Sequence, residues 1–271
     1  MITSSRREDE RVQDVTRPSV ARMYDYYLGG KDSYQVDRDA AEQVAQAMPE
    51  IRELALENRS FLRRSVRYMA RRGIRQFLDI GSGLPTAGNT HEIAQAIIPD
   101  AQVVYVDIDP VVLTHGRALL ATDDRTTVVQ GDMRRPSEVL GHRETARLID
   151  PTAPVGVLMI AMIHFLTVDE RRSVMQQLRK ALAPGSYLAA THVTVEGHAP
   201  AAVEQIEAVY ATTPTPIFFR PKEEITPFFE GFDAVDPGLV TIDQWNPDSD
   251  ELDQPAEKIG TWLYGAVGRK P

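Results

Sequence analysis

The run DIGSGLPTAGN places Gly81, Ser82 and Gly83 between a short apolar segment and a helical one. Glycines at a strand-to-helix turn let the backbone approach a ligand, and the helix beyond offers free N–H groups. A nucleotide-like ligand is the expectation. A dinucleotide fingerprint asks for G-x-G-x-x-G, but Thr86 stands at the third glycine position, behind Pro85, and the next glycine is Gly88. Asp107 closes the following strand in YVDIDP, 26 residues after Gly81, where a carboxylate accepts the two hydroxyls of an adenosine ribose. Ile108 follows at the same edge. A nicotinamide dinucleotide and S-adenosylmethionine both carry such a ribose, so Asp107 alone does not choose between them. A third strand ending in VVQGDM puts Asp132 and Met133 where an adenine amino group and ring face would lie; Asp132 also suits a turn or a helix cap before RRPSEV. Near the end of the fourth strand, Ala161 joins the expected cofactor contacts. His164, in MIHFL, is the candidate general base or substrate contact, with a neutral histidine packed beside Phe165 as the alternative. His192, in ATHVT, is a weaker candidate.

Other chemistries fail on spacing. Gly30-Lys31 looks like a phosphate loop, yet G-x-x-x-x-G-K-[ST] needs a strand before it and Ser or Thr after it, and here a helical run precedes and Asp32 follows. His91-Glu92 begins like H-E-x-x-H, but Gln95 takes the second ligand position, which leaves a helix face and no zinc pair. NPDSDELD lacks the glycine and terminal glutamate of an EF-hand loop. No metal site is expected. The chain has no cysteine, so disulfides, thiolate zinc sites and a cysteine nucleophile are excluded.

The elements that must position these residues follow from periodicity. Strands read at 76–80, 102–108, 126–131, 155–163 and 186–193, separated by helices near 86–98, 110–121, 136–149 and 169–183. Strand-helix alternation predicts a doubly wound α/β fold with a parallel sheet. After a helix near 199–212, two apolar runs at 238–243 and 261–268, joined by the acidic loop QWNPDSDELDQPAEK, are expected to pair antiparallel. Ahead of the sheet, residues 17–72 read as helical throughout, with Ile51, Leu54, Phe61, Leu62 and Met69 at helical spacing and Gly73 as the stop. Residues 1–16 read as a disordered lead into a cytoplasmic protein.

In 271 residues, 42% are apolar and 25% charged, ordinary for a soluble globular protein, and no apolar run is long enough to cross a bilayer. The net charge of −9 opposes attraction to a polyanion. Arg63, Arg64, Arg67, Arg71 and Arg72 cluster in the last turns of a helix, where positive charge complements the macrodipole, and read as a solvated face.

The strings RPSVARMYDYYLGGKDSYQVDR, ENRSFLRRSVRYMARRGIRQFLDIGSGLPTAGNTHEIAQ, VVYVDIDPVVLTHGRALL and LYGAVGRKP resemble the S-adenosyl methyltransferase family long catalogued as a domain of unknown function. The resemblance covers nearly all of the chain from Arg17. It implies a class I methyltransferase: a seven-stranded, mostly parallel sheet with an antiparallel last strand, occupying residues 73–271. It also implies S-adenosyl-L-methionine as cofactor and S-adenosyl-L-homocysteine as product. By motif position, Gly81, Ser82 and Gly83 are similar to its glycine-rich cofactor loop, Asp107 to its ribose ligand, and Asp132 with Met133 to its adenine contacts. Pro85 departs from the wider methyltransferase pattern, although GLPT is typical of the narrower family.

The acceptor is expected to be a small molecule methylated on oxygen or nitrogen, because charge disfavours nucleic acid and no Asn/Asp-Pro-Pro-Tyr segment follows strand four. A non-catalytic S-adenosylmethionine sensor and a nicotinamide-dependent oxidoreductase are the alternatives. The helices of residues 17–72 are expected to form a lid. In it Gly30 and Lys31, beyond a helix end, meet the cofactor carboxylate, while Tyr24, Tyr27 and Tyr34 wall the acceptor pocket.

Overall fold

The structure, a computed structural model, describes residues 16–86, 88–121, 123–245 and 260–271. Five parallel strands are rich in β-branched and apolar residues buried on both faces, as a helix-covered parallel sheet requires: β1 (Gln76–Ile80), β2 (Gln102–Asp107), β3 (Thr126–Gln130), β4 (Gly156–Met159) and β5 (Tyr187–Val193). Short β6 (Asp233–Ala234) and β7 (Val240–Thr241) both pair with β8 (Leu263–Arg269), which runs antiparallel to β5. The order is β3-β2-β1-β4-β5-β8-β6, with β7 also on β8. The strand order reverses between β1 and β4, and open α/β sheets bind ligands at the carboxyl ends beside such a reversal.

The expected terminal antiparallel pair is present, Val240 facing Gly265, but among the described residues the sheet has eight strands, against the seven the resemblance implies. The run at 238–243 is a strand only at Val240–Thr241 before a 3-10 turn, Ile242–Gln244, takes over, and β6 precedes it. The expected strand at 155–163 stops at Met159, because Ala161 adopts a left-handed conformation with φ 56° and Ile163–Phe165 coil into a 3-10 turn. The run NPDSDELD lies outside the described residues.

Among the described residues, three helices precede the sheet: α1 (Val20–Tyr27), α2 (Gln35–Ala47) and α3 (Ile51–Arg71). Between strands and after them come α4 (Thr90–Ile97), α5 (Pro110–Leu119), α6 (Pro136–Gly141), α7 (Arg143–Leu148), α8 (Val168–Ala181), α9 (Pro200–Tyr210) and α10 (Lys222–Ile225). Their starts are chemically marked. Asp109 caps α5 by accepting from the Val111 N–H, with Pro110 in the first turn. Thr167 and Glu170 form a capping box on α8.

α3 lies on β4, β5 and β8, and α2 packs on α9, so one apolar core runs from Met23 and Tyr27 through Phe61 and Met69 to Val267. Phe61 and Tyr68 meet Trp245 edge-on at 5.3 and 5.7 Å. The arginine cluster is not uniformly a solvated face. Arg64 is buried and pairs with Glu57 at 2.8 Å, and it donates to the carbonyls of Trp245 and Ile242. It thereby fixes the turn after β7 onto α3. Among the described residues no helix is long and apolar enough to cross a membrane.

Candidate active site

The turn after β1 is set by hydrogen bonding and by the absence of side chains. Gly81 and Ser82 donate to the Val106 carbonyl at 2.7 and 3.2 Å, which ties the loop to β2. Gly81 has φ 76°, and a Cβ there would lie 2.1 Å from the Met162 sulfur. Gly83, at φ 65°, has open space where a side chain would stand. Its N–H donates to Asp107 Oδ2 at 2.9 Å, while Asp107 Oδ1 accepts from the Asp109 N–H at 2.9 Å. Burial pushes the Asp107 carboxyl up to about 6, against the lowering effect of those N–H donors. The glycine turn and a poised carboxylate thus form one unit.

They open into a cavity of about 480 Å³. Gly81, Ser82, Gly83, Asp107, Ile108, Ala161, His164, Tyr24 and Tyr27 all line it. Ala161 presents its strained backbone there, with its N–H held by Thr191 Oγ1 at 2.7 Å. His164 is 4% exposed, its ring 4.3 Å from that of Phe165. Its Nδ1 is buried with no hydrogen-bond partner. Burial, then the neighbouring His192 and Arg220, hold His164 well below the usual histidine range, so it is a neutral imidazole at physiological pH. His192 does not line the cavity. Its Nε2 accepts from Arg220 Nη1 at 2.8 Å and its Nδ1 lies 2.6 Å from the Val193 carbonyl, so both nitrogens are engaged.

Five expected contacts lie off the cavity wall. Asp132 accepts from the Arg134 N–H at 2.9 Å and from its guanidinium at 3.3 Å, which makes it the turn former after β3, while Met133 is packed into the core. Gly29 and Gly30 end α1: Gly30 N–H donates to the Asp25 carbonyl and Gly29 N–H to that of Tyr26, the paired bonds of a Schellman motif. The Asp25 carboxylate fills the space where a Gly30 side chain would sit, 2.0 Å from an added Cβ. Lys31 follows that turn into solvent, and Tyr34 is 40% exposed under the Arg22 guanidinium, 5.2 Å from its ring centroid. The N-terminal segment reaches the cavity through Tyr24 and Tyr27 on α1, and through the residues that lead into and start that helix.

There, Arg17, Ser19 and Arg22 line the wall. Ser19 donates to Asp109 at 2.7 Å, Arg22 pairs with buried Asp37 at 2.7 Å, and Arg17 donates twice to the Thr212 carbonyl, at 3.3 and 3.2 Å. On α3, Arg59 donates to the Gly88 carbonyl at 3.0 Å but leaves a buried Nε unpartnered. The neighbouring Asn58 leaves its Oδ1 unpartnered while its Nδ2 donates to the Tyr24 hydroxyl. Asp79, the last carboxylate of β1, is buried, accepts from Thr90 at 2.7 Å and is raised by burial, with Arg59 opposing. Arg59 stands inside a helical run and Asp79 inside a strand, where spacing marks neither; the signal for both is that each stands within a stretch shared with the resembled family.

The family description "S-adenosyl methyltransferase" matches residues 6–271. Among solved structures, a candidate methyltransferase of Thermobifida fusca YX is 42% identical, with 96% of this chain and 97% of that one covered at a TM-score of 0.87. A DUF574 family protein from Streptomyces avermitilis MA-4680 is 39% identical, with 95% and 99% covered at a TM-score of 0.88. No curated protein matches the chain in sequence. With the class I strand order, the glycine turn and the Asp107 carboxylate in place, the chain belongs to the S-adenosyl methyltransferase family and is an S-adenosylmethionine-dependent methyltransferase.

Proposed function

We propose that this methyltransferase acts on an oxygen or nitrogen atom of a small molecule, by direct displacement inside the cavity. The observation that carries the reading is that one cavity of about 480 Å³ holds both the cofactor turn and an apolar end. That volume falls within the ~300–1,000 Å³ of small-ligand clefts. Beside the cofactor, a volume of that size suits a small acceptor. The net charge of −9 also disfavours a nucleic acid.

The residues fit the cofactor. Asp107 would accept the ribose hydroxyls, and Ile108, half exposed at the rim, would lie along the base. Arg59, with its free Nε, and Asp79 present opposite charges to the carboxylate and ammonium of the amino-acid end. Bound S-adenosylmethionine supplies a methyl carbon activated by its sulfonium. The protein's own contribution is orientation, exclusion of water and a proton acceptor. Neutral His164 can take the proton that the acceptor oxygen or nitrogen releases and pass it to water.

The test is transfer from methyl-labelled S-adenosylmethionine into a cell extract, separated afterwards by size. Label in the low-molecular-weight fraction is expected. Label confined to protein or nucleic acid would refute the reading.

A further inference from the structure

The two ends of the cavity differ in charge. Arg22, Arg59, Asp79, Asp107 and Asp109 lie on α1, on α3, near the ends of β1 and β2 or at the start of α5, around the proposed cofactor site. The opposite end is formed where α2 packs on α9, and where the segment after α9 passes under His164 with the Phe218 N–H donating to the His164 carbonyl at 2.9 Å. Met48, Ile51, Ile206, Ile217 and Phe219 line that end. Its nearby charges are turned elsewhere. Glu207 accepts from the Phe219 N–H at 3.2 Å, and Arg220 is spent on His192 and the Leu166 carbonyl. Arg17, exposed at the rim, is bound through Nε and Nη2 to Thr212. Polar groups facing the end are few: the Tyr27 and Tyr210 phenols, which interact with each other and of which Tyr210 is pushed up to about 12 by burial, and the neutral His164 imidazole.

Resting on the small-molecule reading above, we infer that the methyl acceptor is an uncharged, aromatic molecule of roughly one or two rings, its rings between α2 and the Ile217–Phe219 segment and its hydroxyl or amine toward His164. A charged acceptor would lose its hydration there without a counter-ion, which is costly in a buried apolar site. A ring with one hydroxyl or amine leaves a single polar group to satisfy, and the His164 imidazole can accept from it.

The inference is tested by calorimetry on the protein saturated with S-adenosylhomocysteine, using 2-naphthol and its charged counterpart 6-hydroxy-2-naphthoate as probes. The expected result is that 2-naphthol binds at least about tenfold more tightly than the naphthoate. Phe219→Asp should weaken 2-naphthol by about tenfold or more and leave S-adenosylhomocysteine affinity within about twofold. Ile217→Trp, which fills the same space without adding charge, should also exclude 2-naphthol, and serves if the aspartate variant does not fold. Equal or tighter binding of the naphthoate, no binding of 2-naphthol to the cofactor-loaded protein, or binding unchanged in Ile217→Trp would overturn the inference alone. Failure of S-adenosylhomocysteine itself to bind would instead remove the cofactor assignments on which it rests.

Discussion

Asp107 makes the proposed ribose contact a question of protons. In the free protein, burial lifts its carboxyl from 3.8 to about 6. At 1.36 kcal/mol per unit, the ionised form therefore costs the folded protein up to about 3 kcal/mol at pH 7. The sign follows directly: the folded state holds a proton that the unfolded state has released between these two values. Asp107 thus favours folding at low pH, and that contribution is lost as pH rises through about 6. Two ribose hydroxyls donating to the carboxylate favour its ionised form, so binding draws the pKa down and expels a proton. Affinity for S-adenosylhomocysteine should then rise with pH, by up to about tenfold per unit below 6, and level off above it. Asp107→Asn removes the charge and sets an amide N–H₂ against the N–H of Gly83 or of Asp109. Loss of charged hydrogen bonds of about 1.5–3 kcal/mol predicts roughly ten- to 150-fold weaker binding at pH 7.5, and the pH dependence should vanish. Calorimetry from pH 5 to 8 in buffers of different ionisation enthalpy reads both the affinity and the proton release. A wild-type affinity flat across that range, or an Asn variant that binds as tightly at pH 7.5, would refute the assignment.

Arg59→Met should weaken S-adenosylhomocysteine by roughly ten- to 150-fold while leaving 5′-methylthioadenosine, which lacks the amino-acid end, unchanged; equal losses for both would show that Arg59 only shapes the loop through Gly88. His164→Ala should slow transfer by about 10²–10⁴ with cofactor affinity intact, and because the imidazole is already neutral, wild-type turnover should show no titration near 6.5 beyond the Asp107 limb; a full-rate variant would dismiss the base. Arg64→Ala strands buried Glu57, whose carboxyl burial already raises, together with two carbonyls; a loss of about 3–5 kcal/mol is expected in urea unfolding, and a loss under about 1 kcal/mol would contradict the geometry.

What the sequence revealed depended on how local the cause was. Strands β1 to β5 and the Gly81–Gly83 turn are set by runs of β-branched residues and by glycines that need no distant partner, so they were legible. β6 has two residues and exists only because β8 offers it a partner, and no periodicity announces that. Arg64 looked like its arginine neighbours because its partners, the carbonyls of Ile242 and Trp245, lie 178 and 181 residues away. Gly30 and Lys31 are expected at the cofactor carboxylate because backbone N–H groups beyond a helix end and a lysine suit an anion; in the fold Lys31 is exposed and the Asp25 carboxylate occupies the space over Gly30. The cavity's apolar end was invisible for a related reason, since α2 and the segment after α9 meet only through the fold.

The position of β8 bears on how the protein is made. During vectorial synthesis β5 is complete once Val193 emerges, but the strand that covers its outer side starts at Leu263 and ends at Arg269. Until then the Tyr187–Val193 backbone is an open edge of buried, apolar sequence, a template for pairing with another nascent chain. β6 and β7 cannot guard it, because both reach the sheet only through β8. The cofactor turn beside β1 can therefore take shape well before the sheet is closed. A polypeptide interrupted between these points would carry much of the binding machinery on a scaffold prone to aggregate.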